Sequence, residues 1–114
     1  MRKQELDNWV KTGGDLPDNL TDNEEAYLTS LGHDYVPVET EEGVLIEEYH
    51  YLNGKMHGCY SNYWDEDGAL RTEEYWFKGK EHGMRTEYDW CGNILHKLEY
   101  AYGVLLKEWW YEER

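Results

Sequence analysis

The glycines of this chain keep a register, and that register limits the fold more tightly than any other feature. Gly43, Gly68 and Gly92 are separated by 25 and 24 residues, and Gly54, Gly79 and Gly103 by the same 25 and 24. Gly58 and Gly83 add a pair 25 apart, so eight of the 11 glycines belong to one lattice. Each first glycine stands 11 residues before its second. A fixed period of this length marks a repeat architecture, in which one small supersecondary unit stacks on the next.

The residues between the glycines repeat as well. Two positions after the first glycine stand Leu45, Leu70 and Ile94, and eight positions after it Tyr51, Trp76 and Tyr100. GKMHG (Gly54 to Gly58) recurs as GKEHG (Gly79 to Gly83), and Tyr63 and Tyr88 follow five positions later. The third copy has no His-Gly after Gly103, as expected of a terminal, capping unit. Segments of eight to ten residues rich in Tyr, Trp, Leu and Glu, bounded by Gly with Asn, Asp or Lys beside it, read as strands joined by hairpin turns.

Alternation then sorts side chains by face. Leu45, Glu47, Tyr49 and Tyr51, with Leu70, Thr72, Glu74 and Trp76 and then Ile94, His96, Leu98 and Tyr100, form one mainly apolar and aromatic face. The alternate positions, among them Glu48, His50, Glu73, Tyr75, Lys97 and Glu99, suit a solvated face. Trp109, Trp110 and Tyr111 put neighbouring rings on opposite faces of the last strand, which makes self-association through that C-terminal edge an expectation.

Residues 1–42 lie outside the lattice and carry 11 acids against 3 bases, more than half of the net charge of -14. Arg2 to Lys11 reads as a short helix ended by Thr12, Gly13 and Gly14. Thr21 and Glu24 form a capping-box pattern before a second, with Gly32 as its stop. Leu20, Tyr27, Leu28 and Leu31 are placed to dock this segment over a sheet edge; the alternative is an arm that orders on a partner.

A chain of 114 residues supports one modest core, and 11 Tyr and 6 Trp against 1 Phe make aromatic rings with polar tips a large part of what it can bury. The acidic balance disfavours direct contact with nucleic-acid phosphates and anionic membranes and favours basic protein surfaces. There is no apolar run near 18 residues and no secretory leader, so a cytoplasmic protein is expected, with Cys59 and Cys91 reduced.

No nucleophile with its base, carboxylate pair or metal cluster has recognisable spacing, so neither an enzyme nor a cofactor or metal is expected. His57 and His82 occupy equivalent turns and read as turn-forming or surface histidines. Two strands separate them, about 9.5 Å, too wide for one ion. Glu47/Glu48 and Glu73/Glu74 are adjacent in strands and point to opposite faces.

The lattice, the GKxHG-type turns and the aromatic before each turn resemble the MORN repeat over about residues 43–114, in particular its shorter bacterial and phage variant, often described as an antitoxin component. The resemblance implies a mainly β fold: an elongated, twisted antiparallel sheet of stacked hairpins, about three units, with one or two short N-terminal helices. It also implies a groove that holds peptides or helices.

The function expected is a non-enzymatic inhibitor, antitoxin-like, immunity-like or phage-encoded against host defence, that sequesters a basic toxin, nuclease or defence protein. Its gripping surface would comprise Glu47, Tyr49, Tyr51, Tyr63, Glu74, Trp76, Tyr88, Tyr100, Trp109 and Trp110. Two other readings stand beside it: a nucleic-acid mimic whose carboxylates occupy the DNA or RNA site of a nuclease or regulator, and a peptide-binding scaffold module.

Overall fold

The computed structural model describes residues 1–64 and 68–111. Helix α1 (Lys3–Thr12) stops where Gly13, at φ 76, turns the chain and donates its N–H to the Trp9 carbonyl at 2.8 Å. Helix α2 (Asp22–Ser30) starts from the capping box read in the sequence. The Thr21 hydroxyl accepts from the Glu24 N–H at 3.1 Å, and the Glu24 carboxylate accepts from the Thr21 N–H at 3.0 Å.

Among the described residues nine strands follow: β1 (His33–Glu39), β2 (Leu45–Leu52), β3 (Lys55–Met56), β4 (Gly58–Tyr63), β5 (Leu70–Phe77), β6 (Lys80–Glu81), β7 (Gly83–Tyr88), β8 (Ile94–Ala101) and β9 (Val104–Trp110). They form one open sheet in the order β1-β2-β4-β5-β7-β8-β9, with β3 beside β2 and β6 beside β5. Every pairing is antiparallel. The protein is therefore mainly β, with two short helices, as the hairpin lattice predicts. Its extents are 44 × 38 × 22 Å. The sheet starts at β1, before the first lattice glycine, inside the segment whose sequence reads as helices alone.

The turns explain the lattice. Asn53-Gly54, Lys78-Gly79 and Tyr102-Gly103 all have both residues at positive φ, at 51/81, 46/91 and 47/86, the type I′ pattern that matches strand twist. Lys78 and Tyr102 are costly residues to hold there, and the preceding unit holds them. The Lys78 N–H donates to His57 Nδ1 at 3.1 Å and the Gly79 N–H to the Met56 carbonyl at 2.8 Å. One unit later, the Tyr102 N–H donates to His82 Nδ1 at 3.1 Å and the Gly103 N–H to the Glu81 carbonyl at 2.7 Å. Each GKxHG histidine is thus the acceptor on which the next turn hangs. The third unit has no described hairpin beyond it and no histidine at that place, and β9 runs unbroken where β3/β4 and β6/β7 are interrupted.

Two expectations about faces need correction. The register slips by one residue in each repeat, so Leu45, Leu70 and Ile94 pair with Glu39, Tyr63 and Tyr88, out of phase with the positions that follow them. The apolar row expected from simple alternation is therefore broken at its first member. The face expected to be solvated is, moreover, the one the N-terminal segment covers. Trp9 packs edge-on against His57, His33 and His50 at ring separations of 4.6, 5.2 and 6.3 Å, and the Tyr75 hydroxyl donates to Asp15 at 3.1 Å. Gly58 makes this docking possible, because a Cβ there would lie 2.6 Å from the Trp9 indole nitrogen.

The apolar core sits in the same place. Leu6, Trp9, Leu28 and Leu52 are buried together, with Val10, Leu16, Leu20 and Tyr27 packed around them. Each such side chain contributes about 1.5–3 kcal/mol on burial. The N-terminal segment thus docks over a face, and β1 is what caps the β2 edge. Arg2 ties the segment to itself: its guanidinium donates twice to Glu24, which is 1% exposed, and these bonds hold the Glu24 carboxyl far below the usual carboxylate range. Among the described residues no helix is long and apolar enough to cross a membrane.

Candidate functional site

The face opposite the helices carries no covering element among the described residues, and its side chains change character from unit to unit. In the first unit Tyr49 lies 4.7 Å from Tyr60 and 5.9 Å from Tyr51, ring to ring. The Glu47 carboxylate accepts from the Tyr49 hydroxyl at 3.0 Å and from the Tyr60 hydroxyl at 3.3 Å. Burial and the bond to Glu47 push the Tyr49 hydroxyl pKa up, so it stays a donor.

One repeat later, Glu74, Trp76 and Arg85 stand where Tyr49, Tyr51 and Tyr60 stood. The Trp76 indole N–H donates to Glu74 at 3.2 Å. Arg85 lies 3.2 Å from Glu74 and 3.6 Å from both Glu81 and Glu87. Burial first and then Glu74 push the Glu81 carboxyl pKa up. Towards the last strand His96 is clasped between Glu108 at 2.9 Å and Glu87 at 3.4 Å, and Trp110 stacks on it at 3.6 Å. Tyr100, opposite Gly83, completes the row.

Of the ten residues expected to grip a partner, Glu47, Tyr49, Tyr51, Glu74, Trp76, Tyr100 and Trp110 share this open face. Tyr63, Tyr88 and Trp109 do not: alternation and register place them on the other side, where the Tyr63 hydroxyl donates to Glu48 at 3.1 Å. The sequence reading missed Tyr60, Arg85, Glu81, Glu87 and Glu108. The signal for the first two was present, since both stand two positions after the closing glycine of a GKxHG turn.

A second acidic feature lies on the covered side, a cleft of ≈ 600 Å³ between the 13–20 connection and the sheet. Asp15, Asp18, Glu25, Asp34, Glu48 and Glu73 line it with no Lys or Arg among its lining residues. Among its lining residues His33 Nε2 and His50 Nδ1 are 3.0 Å apart, within hydrogen-bond distance. Burial, and His33 after it, push the His50 pKa down to about 4. Tyr35 and Tyr63 both donate to Glu48, and burial together with that carboxylate pushes each up to about 12. The Cys59 thiol, also lining the cleft, is pushed up to about 11 by burial and stays protonated, the opposite of what a thiolate nucleophile needs. Among the described residues no three of His, Cys, Asp or Glu are grouped closely enough to hold a metal ion.

No family model matches the chain, and no significant match to a curated protein or to a solved structure is found. The site is therefore interpreted from its own geometry.

Proposed function

We propose that this chain is a cytoplasmic binding module that sequesters a basic protein through the open face of its sheet, as an antitoxin-like, immunity-like or phage-encoded inhibitor would. One observation carries the reading: the face seats its own arginine in the second unit, and in the first the equivalent carboxylate and rings stand without one. Arg85 is held by three carboxylates, with Trp76 bonded to one of them. In the first unit Tyr60 takes the place of Arg85, and Glu47 stands among Tyr49, Tyr51 and Tyr60 with no Lys or Arg paired to it among the described residues. A guanidinium from outside would gain the carboxylate and the ring faces together, a combination that suits arginine better than lysine.

Charge supports the same partner. Glu47, Glu74, Glu81, Glu87 and Glu108 outnumber Arg85 on this face, and the chain's net charge of -14 would steer a basic protein towards it. The carboxylates are already held by tyrosine hydroxyls, an indole N–H, Arg85 and His96, so little order is lost on binding. The resemblance of GKMHG and GKEHG to MORN turns adds the expectation of a surface that receives a peptide or helix.

The test is capture from host lysate on immobilised wild-type chain and on a Tyr49→Ala/Tyr60→Ala variant, washed at low and at high salt. The expected result is a basic protein that survives the high-salt wash on wild type and is lost from the variant. Equal retention by both chains, or retention abolished by salt alone, contradicts an aromatic grip.

A further inference from the structure

The two edges of the sheet are not alike. β1 is blunted as edge strands usually are, with Pro37 lacking a donor and Asp34 and Glu39 charged. β9 has no proline, and its charges are one Lys and one Glu beside a bulge at Leu106. Its sequence is VLLKEWW, all seven residues are exposed, and Leu106 and Trp110 are 56% and 72% accessible. A long edge with five apolar residues in seven is a template for another strand.

We propose that β9 pairs antiparallel with β9 of a second copy, making one continuous sheet across a two-fold axis. The backbone sets the register. The Tyr111 N–H bonds to the Leu95 carbonyl at 3.0 Å, and Trp109 and Lys107 pair with Lys97 and Glu99. The alternation of an antiparallel ladder therefore turns the N–H and C=O of Glu108 and Trp110 outward. A two-fold axis through Glu108 places Lys107 opposite Trp109 twice, the bulge at Leu106 lying just beyond these pairs. Lys107 already lies over the Trp109 ring of its own strand at 5.7 Å, so the cross-strand pair repeats a contact the chain favours. The two Glu108 carboxylates meet at the axis, but each is drawn to its own His96 at 2.9 Å.

Charge decides for a second copy despite the net charge of -14. β9 contains one Lys and one Glu and is neutral. The acid-rich helical segment before β1 packs on β1, β2 and their neighbours, at the far end of the sheet order. Pairing through β9 keeps those segments at opposite ends of the dimer, beyond the roughly 8–10 Å over which salt leaves charges visible to one another.

Sedimentation across a concentration series of the full chain tests this. The expected mass rises from 13.7 kDa towards twice that value. Trp110→Lys raises the dissociation constant about tenfold or more, as loss of a Trp anchor does, with the far-ultraviolet spectrum unchanged. Register is read in a Cys59→Ser/Cys91→Ser background. Glu108→Cys faces itself across the axis at about 5.5 Å between Cα atoms and oxidises to a disulfide dimer, whereas Lys107→Cys does not. A monomer at every concentration, or Lys107→Cys linking as readily as Glu108→Cys, overturns the proposal.

Discussion

His57 shows how much of this fold hangs on single side chains. It is fully buried, its Nδ1 accepts from the Lys78 N–H, and its Nε2 is 2.7 Å from the Trp9 carbonyl, so the neutral ring with its proton on Nε2 satisfies both partners at once. His57→Ala strands a backbone donor and acceptor and leaves a void, and is expected to cost about 2–4 kcal/mol in a urea unfolding series. His82→Ala removes one bond at the equivalent turn and is expected to cost about 1 kcal/mol. Equal effects of the two changes would contradict the role given to the Trp9 contact. The motif around both histidines was legible as turn punctuation. Their burial and their bonds were not, because the donors lie 21 and 20 residues away in the next unit, a distance at which local pattern carries no signal.

Elements were legible where chemistry is local and obscure where it is not. Thr21 with Glu24, and Gly13 after α1, mark helix ends in the sequence and do so in the structure. The hairpin strands follow from the glycines. β1 was missed because it lies outside the lattice and contains Pro37, and the covered face was misassigned because alternation separates two faces without saying which one a helix will reach. The slot that decides it, Gly58 beneath Trp9, is a tertiary fit.

That docking makes the N-terminal segment sensitive to acid. In the unfolded chain His50 takes up a proton near pH 6.5, but in the fold only near about 4, since burial and His33 outweigh the opposing pull of Glu48 and Asp15. Between those values the unfolded state binds more protons, so stability present at neutral pH is lost as pH falls through the window. Burial lowers the His33 and His57 pKa values too, with the same sign. The loss attributable to His50 is roughly 2 kcal/mol between pH 7 and 4.5. Urea midpoints across that range are expected to fall steeply for wild type and less steeply for His50→Gln; an unchanged slope in the variant would place the sensitivity elsewhere.

At the scale of the whole molecule, one sheet has two unequal faces and two unequal edges. One face is covered by the N-terminal segment, which supplies the apolar core, and one edge is blunted by β1. The other face carries its rings and carboxylates in a fixed network, and the other edge, β9, has no strand beyond it among the described residues. A sequence with this lattice announces the sheet, and its composition announces the excess of carboxylates. Neither tells that the third unit's aromatic cluster splits, Trp110 onto His96 and Trp109 to the far side.

In the function proposed above, the first-unit cluster around Glu47 is an arginine seat. Its most direct test is an NMR titration of the full chain with a short arginine-containing peptide. Saturable shifts centred on β2 and β4, at Glu47, Tyr49 and Tyr60, and abolished by Tyr60→Ala, are the expected result. Shifts confined to the 13–20 connection and the His33/His50 cleft, or an unaltered titration of Tyr60→Ala, would contradict it.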